Sequence, residues 1–325
     1  METIRKYWFL MGLLAVFGIS IGDMSGTTAL AGRWLRAHHG PDTVIFVIFL
    51  LSGMLLDAKR ILSGFTDISG TLAALGLIFV AGPLLAVLPG MTEMDTGIRI
   101  GIFLVAVMPT TLSSGVVMTG AAGGNMAHAL VITIAANALS VFTIPLSLSL
   151  LLKLVGDTAA VSIDRTAIML KLAGLVLLPL CMGLAVRHCR GNGLAQMESR
   201  MQFFNQFLIL LIVWMAVSQT RDAIIGGADK IVILCVLAFA FHAVLLLFAG
   251  LIIRIFRMEP GRRESLLFMG CQKTLTLSVI LQVSLFPRYG TALVFCVLHH
   301  IIHLLMDAWL VGRWQRKSHE GKISV

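Results

Sequence analysis

Charged residues are scarce in this chain. Asp, Glu, Lys and Arg make up 13% of its 325 residues, whereas soluble domains carry roughly 25%. Hydrophobic residues reach 58% and the mean hydropathy is +0.94, with apolar runs close to the roughly 20 residues that cross a bilayer. This composition excludes an ordinary soluble domain and predicts an all-α polytopic membrane protein.

Signatures of several other functions are also missing. The five cysteines are isolated, with neither CxxC metal spacing nor a disulfide framework. HExxH and paired-aspartate protease patterns are absent, so we do not expect an enzyme. The net charge of +9 comes mostly from Lys and Arg in short loops, and not from a basic patch interleaved with aromatics. We therefore expect neither a nucleic-acid partner nor an organic cofactor.

Ten apolar segments are candidate transmembrane helices, separated by turn residues such as Gly40-Pro41 and Pro260-Gly261. Their predicted limits are residues 6–23, 43–57, 68–89, 97–119, 126–152, 164–187, 203–220, 230–254, 264–286 and 288–312. Five spans in each half predict two inverted repeats, residues 1–155 and 156–325, within one integrated fold.

Basic residues set the expected orientation. With the N-terminus in the cytoplasm, fifteen Lys and Arg fall on the cytoplasmic side and eight on the other, as the positive-inside rule requires. We therefore expect both termini to be cytoplasmic, in a bacterial inner membrane or its equivalent. The first apolar run could also be a signal peptide, but the cleavage-like Ala29-Leu30-Ala31 lies far beyond it, so we expect a retained span.

The fourth and ninth spans carry similar polar interruptions, about half the chain apart. The first reads Pro109-Thr110-Thr111-Leu112-Ser113-Ser114, and the second reads Gln272-Lys273-Thr274-Leu275-Thr276. Paired breaks in corresponding spans indicate the binding site of a secondary transporter. The hydroxyls can satisfy freed backbone groups or coordinate a ligand, while a half-helix N-terminus attracts an anion. The alternative for the fourth span is a simple proline kink with hydroxyls bonded to i−4 carbonyls.

A lysine in the middle of a span is costly, so Lys273 is expected to face a cavity or a partner. It could be a fixed charge that replaces a bound cation, a titrating group that couples transport to protons, or a direct partner of an anionic substrate. Among the acidic residues, Asp23 and Asp307 are the candidates for its carboxylate partner.

Other polar residues lie in or near the fifth and tenth spans. Asn125 is predicted to cap the fifth span, whereas Asn137 within it could join helices or bind a ligand. His299, His303 and Asp307 share one face of the tenth span, together with the neighbouring His300. They could bind a metal, line an aqueous pathway or serve packing, and His128 and His242 look isolated.

At these motifs the chain resembles the bile acid:sodium symporter family, in a divergent branch with PTTxSS and GxQKTL stretches. The likeness is strongest at Pro109–Ser114, Gly123–Asn125, Asn137–Pro145 and Gly270–Leu275. The resemblance implies ten helices, with discontinuous helices four and nine crossing in a core of spans three to five and eight to ten. Spans one, two, six and seven would form a panel. It also implies sodium-driven uptake of organic anions, with Gln272 and Thr133 matching family positions.

Four positions depart from the better-understood branch of that family. Phe268 stands where that branch has a sodium-binding glutamate, Lys273 follows the shared glutamine, and Gly115-Val116 replace a Ser-Asn pair. Sodium or protons are therefore both candidate coupling ions.

The sequence thus predicts an ion-coupled transporter of a small organic anion, embedded in a lipid bilayer. A proton- or cation-coupled antiporter on the same fold and a non-transporting membrane regulator or receptor are the alternatives. The predicted site residues are Pro109, Thr110, Thr111, Ser113, Ser114, Asn125, Thr133, Asn137, Gln272, Lys273, Thr274 and Thr276. The substrate, the stoichiometry and the oligomeric state do not follow from the sequence.

Overall fold

The computed structural model describes residues 2–23, 25–56, 64, 67–112, 114–154, 164–190, 196–226 and 228–323, and its regular structure there is helical. The helices are α1 (Glu2–Gly22), α2 (Thr27–Ala37), α3 (Gly40–Leu55), α4 (Ile68–Gly90), α5 (Thr96–Val107), α6 (Ser114–Ala121), α7 (Met126–Leu154), α8 (Arg165–Arg190), α9 (Glu198–Ile225), α10 (Ile231–Ile255), α11 (Arg262–Cys271), α12 (Leu275–Leu285) and α13 (Gly290–Ile323). A short 3₁₀ turn at Ala228–Lys230 precedes α10.

Seven segments of the described chain are long and apolar enough to cross a membrane. They are α4, α7, α8, most of α9, α10, the joined segment Arg262–Leu285, and α13 through Gln315. Three shorter apolar helices, Met11–Gly22, Gly40–Leu55 and Thr96–Val107, fall at the remaining predicted positions. Within the described residues there is a helix at each predicted span, and seven segments meet the length and hydropathy of a full span. α3 has 16 residues, α5 stops after 12, and only Met11–Gly22 of α1 counts as apolar.

Two helical segments lie outside the predicted limits. The 11-residue α2 occupies a stretch that we expected to be a loop, and α13 continues to Ile323 beyond its predicted end at residue 312. Both additions carry several basic residues, so the hydropathy that located the spans did not detect them. The predicted boundary between the repeats, 155/156, falls at residues 155–163, outside the described residues.

α4 and α8 each contain one π-helical turn, at Leu77–Ala81 and Ala173–Leu177. In both helices a proline follows two residues after the turn, Pro83 in α4 and Pro179 in α8. Proline has no N–H and its ring excludes the carbonyl four residues earlier. The wider π-helical turn before each proline relieves the clash between the proline ring and that carbonyl. It also leaves one carbonyl of the helix without a helical N–H partner.

The helices pack in two sets of neighbours. In the first set α3 packs along α8, and α9 packs against α1, α2 and α3. In the second set α13 packs on α5 and α10, and α11 packs on α4, α6 and α7. The α3–α8 contact depends on two facing glycines. A Cβ built on Gly53 would collide with the Leu180 carbonyl, and one on Gly183 would collide with the Leu50 carbonyl. Small residues allow such close approach of membrane helices.

We predict that Gly183→Ala lowers the melting temperature of the detergent-purified protein, because backbone rather than a flexible side chain occupies the space of the new methyl group. Overpacking of this kind costs about 1–3 kcal/mol. Gly174→Ala on the same helix is the matched control, since nothing lies within 4 Å of its Cβ position. An equal response of both variants would contradict the close α3–α8 contact.

Asp67 ties the start of α4 to the start of α11. Its carboxylate accepts the Gly70 N–H at 2.9 Å and two guanidinium N–H groups of Arg262, each at 2.5 Å. His128 of α7 also approaches it, at 3.7 Å. Burial acts to raise the pKa of Asp67, but the Arg262 and Gly70 hydrogen bonds outweigh burial and hold that pKa below its usual value.

This ion pair predicts a loss of stability in acid. Because the folded-state pKa of Asp67 is lowered, its contribution is complete above the unfolded pKa of about 3.9 and disappears as pH falls through the folded value. Arg262→Gln should therefore lower the free energy of unfolding at pH 7 by up to about 1 kcal/mol, seen as a lower melting temperature, and the difference from wild type should shrink below about pH 4. The exposed Arg254→Gln is the control, and a difference independent of pH would contradict the assignment.

Candidate functional site at the paired helix breaks

Both predicted interruptions are real gaps between helices. α5 ends at Val107 and α6 begins at Ser114, while α11 ends at Cys271 and α12 begins at Leu275. The residue that follows each first half-helix has nearly the same extended backbone, with φ −71° and ψ 145° at Met108 and φ −68° and ψ 146° at Gln272. Pro109 explains the first exit, because a residue before proline is disfavoured in the helical region.

The two interruptions lie in direct contact. The Thr274 N–H donates to the Pro109 carbonyl at 2.9 Å. The Thr111 hydroxyl donates to Gln272 Oε1 at 2.6 Å, and the Ser114 hydroxyl lies 3.0 Å from the same oxygen. Thr111 also accepts the Gly115 N–H at 3.0 Å and so satisfies a free donor at the start of α6. Residues about half a chain apart therefore form one polar contact region. We call this region, made by Pro109, Thr111, Ser114, Gln272 and Thr274, the joint.

Lys273 fills a cage of backbone oxygens. Its ammonium nitrogen lies 2.8 Å from the Ile78 carbonyl, 3.1 Å from that of Ala106 and 3.0 Å from that of Met108. The residue is 1% exposed, and all three ammonium donors are used. The absence of a side chain at Gly82 is required, since a Cβ there would lie 2.8 Å from the ammonium nitrogen.

Two prolines explain why these carbonyls are available. The Gly82 N–H bonds to Leu77 and Pro83 has no N–H, so the helix offers no donor to Ile78. The other two oxygens belong to the C-terminal end of α5, where the break before Pro109 leaves carbonyls unpaired. A helix C-terminus carries partial negative charge, so this cage suits a cationic group, and the Lys273 amine occupies it.

The remaining predicted residues surround the joint at different distances. Asn125 caps α7, accepting the N–H groups of Ala127 and His128 at 3.0 and 3.1 Å, as predicted. Asn137 donates to the Thr133 carbonyl at 2.9 Å and reaches the Thr110 carbonyl at 3.5 Å. The Thr133 hydroxyl bonds to the carbonyl one turn earlier, at Ala129.

Two buried oxygens near the joint lack a hydrogen-bond partner within the described ranges, Thr110 Oγ1 and Asn137 Oδ1. They are the acceptors with which this region could hold an additional cation. Thr276 is buried in the first turn of α12. Ser113, which we also predicted as a site residue, lies outside the described residues.

Neither candidate carboxylate pairs with Lys273. Asp23 binds the backbone and hydroxyl of Thr28 and the N–H of Ser25, near the start of α2. Asp307 instead accepts the Gln272 side-chain N–H at 2.8 Å, and its other oxygen lies 3.0 Å from His242 Nε2. The interpretation of His242 as isolated was therefore wrong, because α10 places it against the polar face of α13.

Two small crevices lie beside α12, with volumes of about 30 and 20 Å³. The first is bordered by α3 and α9 and the second by α8, and neither is lined by residues of the two breaks. Thr110, Thr111, Gln272 and Lys273 are each at most 6% exposed.

Comparison with known proteins assigns the chain to a family. Residues 7–316 match the SBF-like CPA transporter family. The chain belongs to that family. Together with its apolar helices, this membership identifies it as a membrane transporter related to the bile acid:sodium symporters.

Relatives of this SBF-like transporter include proteins from plants and vertebrates. It is 28% identical to "Probable sodium/metabolite cotransporter BASS4, chloroplastic" of Arabidopsis thaliana over 299 residues, which span 86% of this chain and 66% of the plant protein. It is 25% identical to "Sodium/bile acid cotransporter 7" of Danio rerio over 333 residues, covering 95% of this chain and 96% of the relative. The Xenopus laevis "Sodium/bile acid cotransporter 7-A" is 24% identical, covering 96% and 92%.

We predict that Lys273→Met destabilises the SBF-like transporter, because it leaves the Ile78, Ala106 and Met108 carbonyls without their donor. Each buried polar group left unsatisfied costs about 1–3 kcal/mol. Lys171→Met is the matched control, since Lys171 is partly exposed and contacts Ser284 and Asp42 near the surface. Thermal unfolding in detergent provides the measurement, and equal melting temperatures for the two variants would contradict the cage.

Proposed function

We propose that this protein is a secondary active transporter that moves a small organic anion together with a coupling ion. The observation that carries the proposal is the direct contact between the two helix breaks. Irregular backbone inside a membrane protein is tolerated where it is buried in protein or lines a cavity, and paired breaks in two halves commonly form a transport site.

The proposed architecture has ten spans in two inverted repeats of five. In it α5 and α6 form discontinuous span four, and α11 and α12 form discontinuous span nine. The equal ordinal positions and nearly equal exit torsions of Met108 and Gln272 favour this symmetry. The set of helices around α11 and α13 would be the core, and the set around α3 and α9 would be the panel. Alternating access would then move the core against the panel, with both termini in the cytoplasm.

Charge at the joint favours an anionic substrate. The half-helices α6 and α12 start at the two breaks, so their N-termini bring partial positive charge toward the joint. Within the described residues the Lys273 amine contacts backbone carbonyls and not a carboxylate, so in its protonated form it adds positive charge beside the joint. The anion would bind on the N-terminal side of these half-helices, once motion opens the joint.

Sodium is the coupling ion that the names of the relatives suggest. The free oxygens of Thr110 and Asn137 and the carbonyl-rich backbone around them are suitable sodium ligands. The Lys273 amine occupies the carbonyl cage that could otherwise hold a cation, so we propose fewer exchangeable sodium ions than a site with a vacant cage would hold.

The test is uptake into proteoliposomes with an inward sodium gradient, using a panel of labelled small mono- and dicarboxylates and one bile acid. At least one anion should accumulate faster than with an equal potassium gradient. Thr111→Val and Gln272→Met should each reduce that uptake at least tenfold, because both remove contacts at the joint. Thr43→Val on α3 removes a hydroxyl that bonds locally to His39 and should retain uptake.

Two results would contradict the proposal. Uptake of every anion at the rate of protein-free vesicles would contradict transport, and would favour a regulator or receptor. Undiminished uptake by folded Thr111→Val and Gln272→Met proteins would contradict the site while leaving transport intact.

A further inference from the structure

A cluster of four buried histidines and one aspartate lies beside the joint. His242 comes from α10, and His299, His300, His303 and Asp307 come from α13; each is at most 7% exposed. The ring centroids of His242, His299 and His303 lie 5.3 to 5.9 Å apart, and His300 lies 4.7 Å from His303. These rings form one continuous group.

Asp307 joins this group to the helix breaks. One of its oxygens lies 3.0 Å from His242 Nε2, and the other accepts the Gln272 side-chain N–H at 2.8 Å. Gln272 in turn accepts the Thr111 hydroxyl through its own oxygen. A chain of polar contacts therefore runs from His242 through Asp307 and Gln272 to the break between α5 and α6.

The nitrogen atoms of the cluster are not all used by the protein. Within the described part of the chain, His242 Nδ1, His299 Nε2 and His300 Nδ1 have no hydrogen-bond partner, and the one partner of the His303 ring is the backbone of His299, one turn earlier. Unpaired buried donors and acceptors are costly, and packing alone would be served better by apolar side chains. Unused nitrogens on four contiguous rings point to a ligand or to water.

A metal ion does not fit this arrangement. No group of three or more His, Cys, Asp and Glu side chains in the described residues has a geometry that could hold one. Imidazole is, however, the side chain best suited to take up and release protons near neutral pH. A hydrogen-bonded aspartate–histidine pair also has two protonation states, one with a net charge of −1 and one with a net charge of 0.

We propose that His242 and Asp307 form an exchangeable proton-binding site, which the imidazoles of His299, His300 and His303 connect to the rest of the interior. The pair takes one proton from water onto the imidazole or the carboxylate, and its net charge changes from −1 to 0. Gln272 transmits this change to the paired breaks, because its amide donates to the oxygen whose charge is altered.

Titratable groups that face the pair come from only a few elements. Cys271 and Lys273 flank Gln272 in sequence, and the three other histidines lie on α13 itself. Among the other helices that pack on α13, α6 and α12 contain no titratable residue, and α5 contains only Arg99, which donates to the Thr92 carbonyl. The charged residues of α9 lie near its ends, at Glu198, Arg200, Arg221 and Asp222.

This site bears on the coupling ion of the proposed transporter, but it can be tested without a substrate. The experiment is an infrared pH titration of the purified wild-type protein in lipid, which follows carboxyl and imidazole bands from pH 5 to 9. Because exposed histidines also titrate near 6.5, the step of the pair is read from the difference between variants: we expect a protonation step in wild type that is lost in Asp307→Asn and displaced or lost in His242→Gln. Asp42→Asn, at a partly exposed carboxylate on α3, should leave the step unchanged.

A step that is identical in wild type, Asp307→Asn and His242→Gln would overturn the proposal, as would the lack of any step in wild type. If neither variant folds, wild-type protein with ¹³C-labelled aspartate carboxyls decides the question. Exposed aspartates titrate near 3.9, so a labelled aspartate carboxyl band that changes reversibly above pH 5 must come from a buried site. The absence of any such change would overturn the proposal.

Failure of the proposed proton-binding site and failure of the proposed transport function give different experimental results. A proton site without anion uptake would leave this inference standing and remove the proposed function. Sodium-driven uptake without any titration of the pair would do the reverse.

Discussion

Backbone groups that leave a helix inside a membrane protein must find partners, and this constraint governs the centre of the molecule. Pro83 and Pro109 remove N–H donors at two places and leave carbonyls of α4 and α5 without helical partners. Lys273, from a different helix, satisfies three of them with one ammonium group. The lysine is tolerated at this depth because the carbonyls replace its water, and the carbonyls are tolerated because the lysine replaces their N–H groups.

The same joint explains how chemistry and motion can be connected. Gln272 contacts Thr111 on one side and Asp307 on the other, so a change in charge at Asp307 reaches the break in the fourth predicted span. The close α3–α8 contact leaves no room for a side chain at Gly53 or Gly183. The small crevices lie where α12 meets α3, α8 and α9, and under the proposed alternating access this is the boundary along which the core would move.

Much of the site could be predicted from sequence because its signals are local. Pro109 with its four hydroxyl neighbours, and a lysine in the middle of an apolar segment, are unusual enough to be recognised without a structure. The positions of the spans follow from hydropathy for the same reason. The amphipathic α2 escaped that criterion, since its Arg33 and Arg36 reduce the mean hydropathy of a short segment.

Long-range partners could not be predicted in this way. His242 looked isolated because Asp307 is 65 residues away, and no local pattern reveals which faces of α10 and α13 meet. The acceptors of Lys273 were missed because they are backbone oxygens, which leave no residue-type signature. A search for carboxylates considered Asp23 and Asp307, whereas the decisive signals were Gly82 and Pro83, which make room for the ammonium group and free the carbonyl of Ile78.

The central claim is that the two breaks form a single joint, and a double-mutant cycle on stability tests it most directly. Thr111→Val, Gln272→Met and the double variant would be compared with wild type by reversible unfolding in bicelles. Direct hydrogen bonding predicts that the two single changes are not additive, with a coupling free energy of about 0.5–1.5 kcal/mol. Additive effects, with a coupling energy of zero within error, would contradict the account.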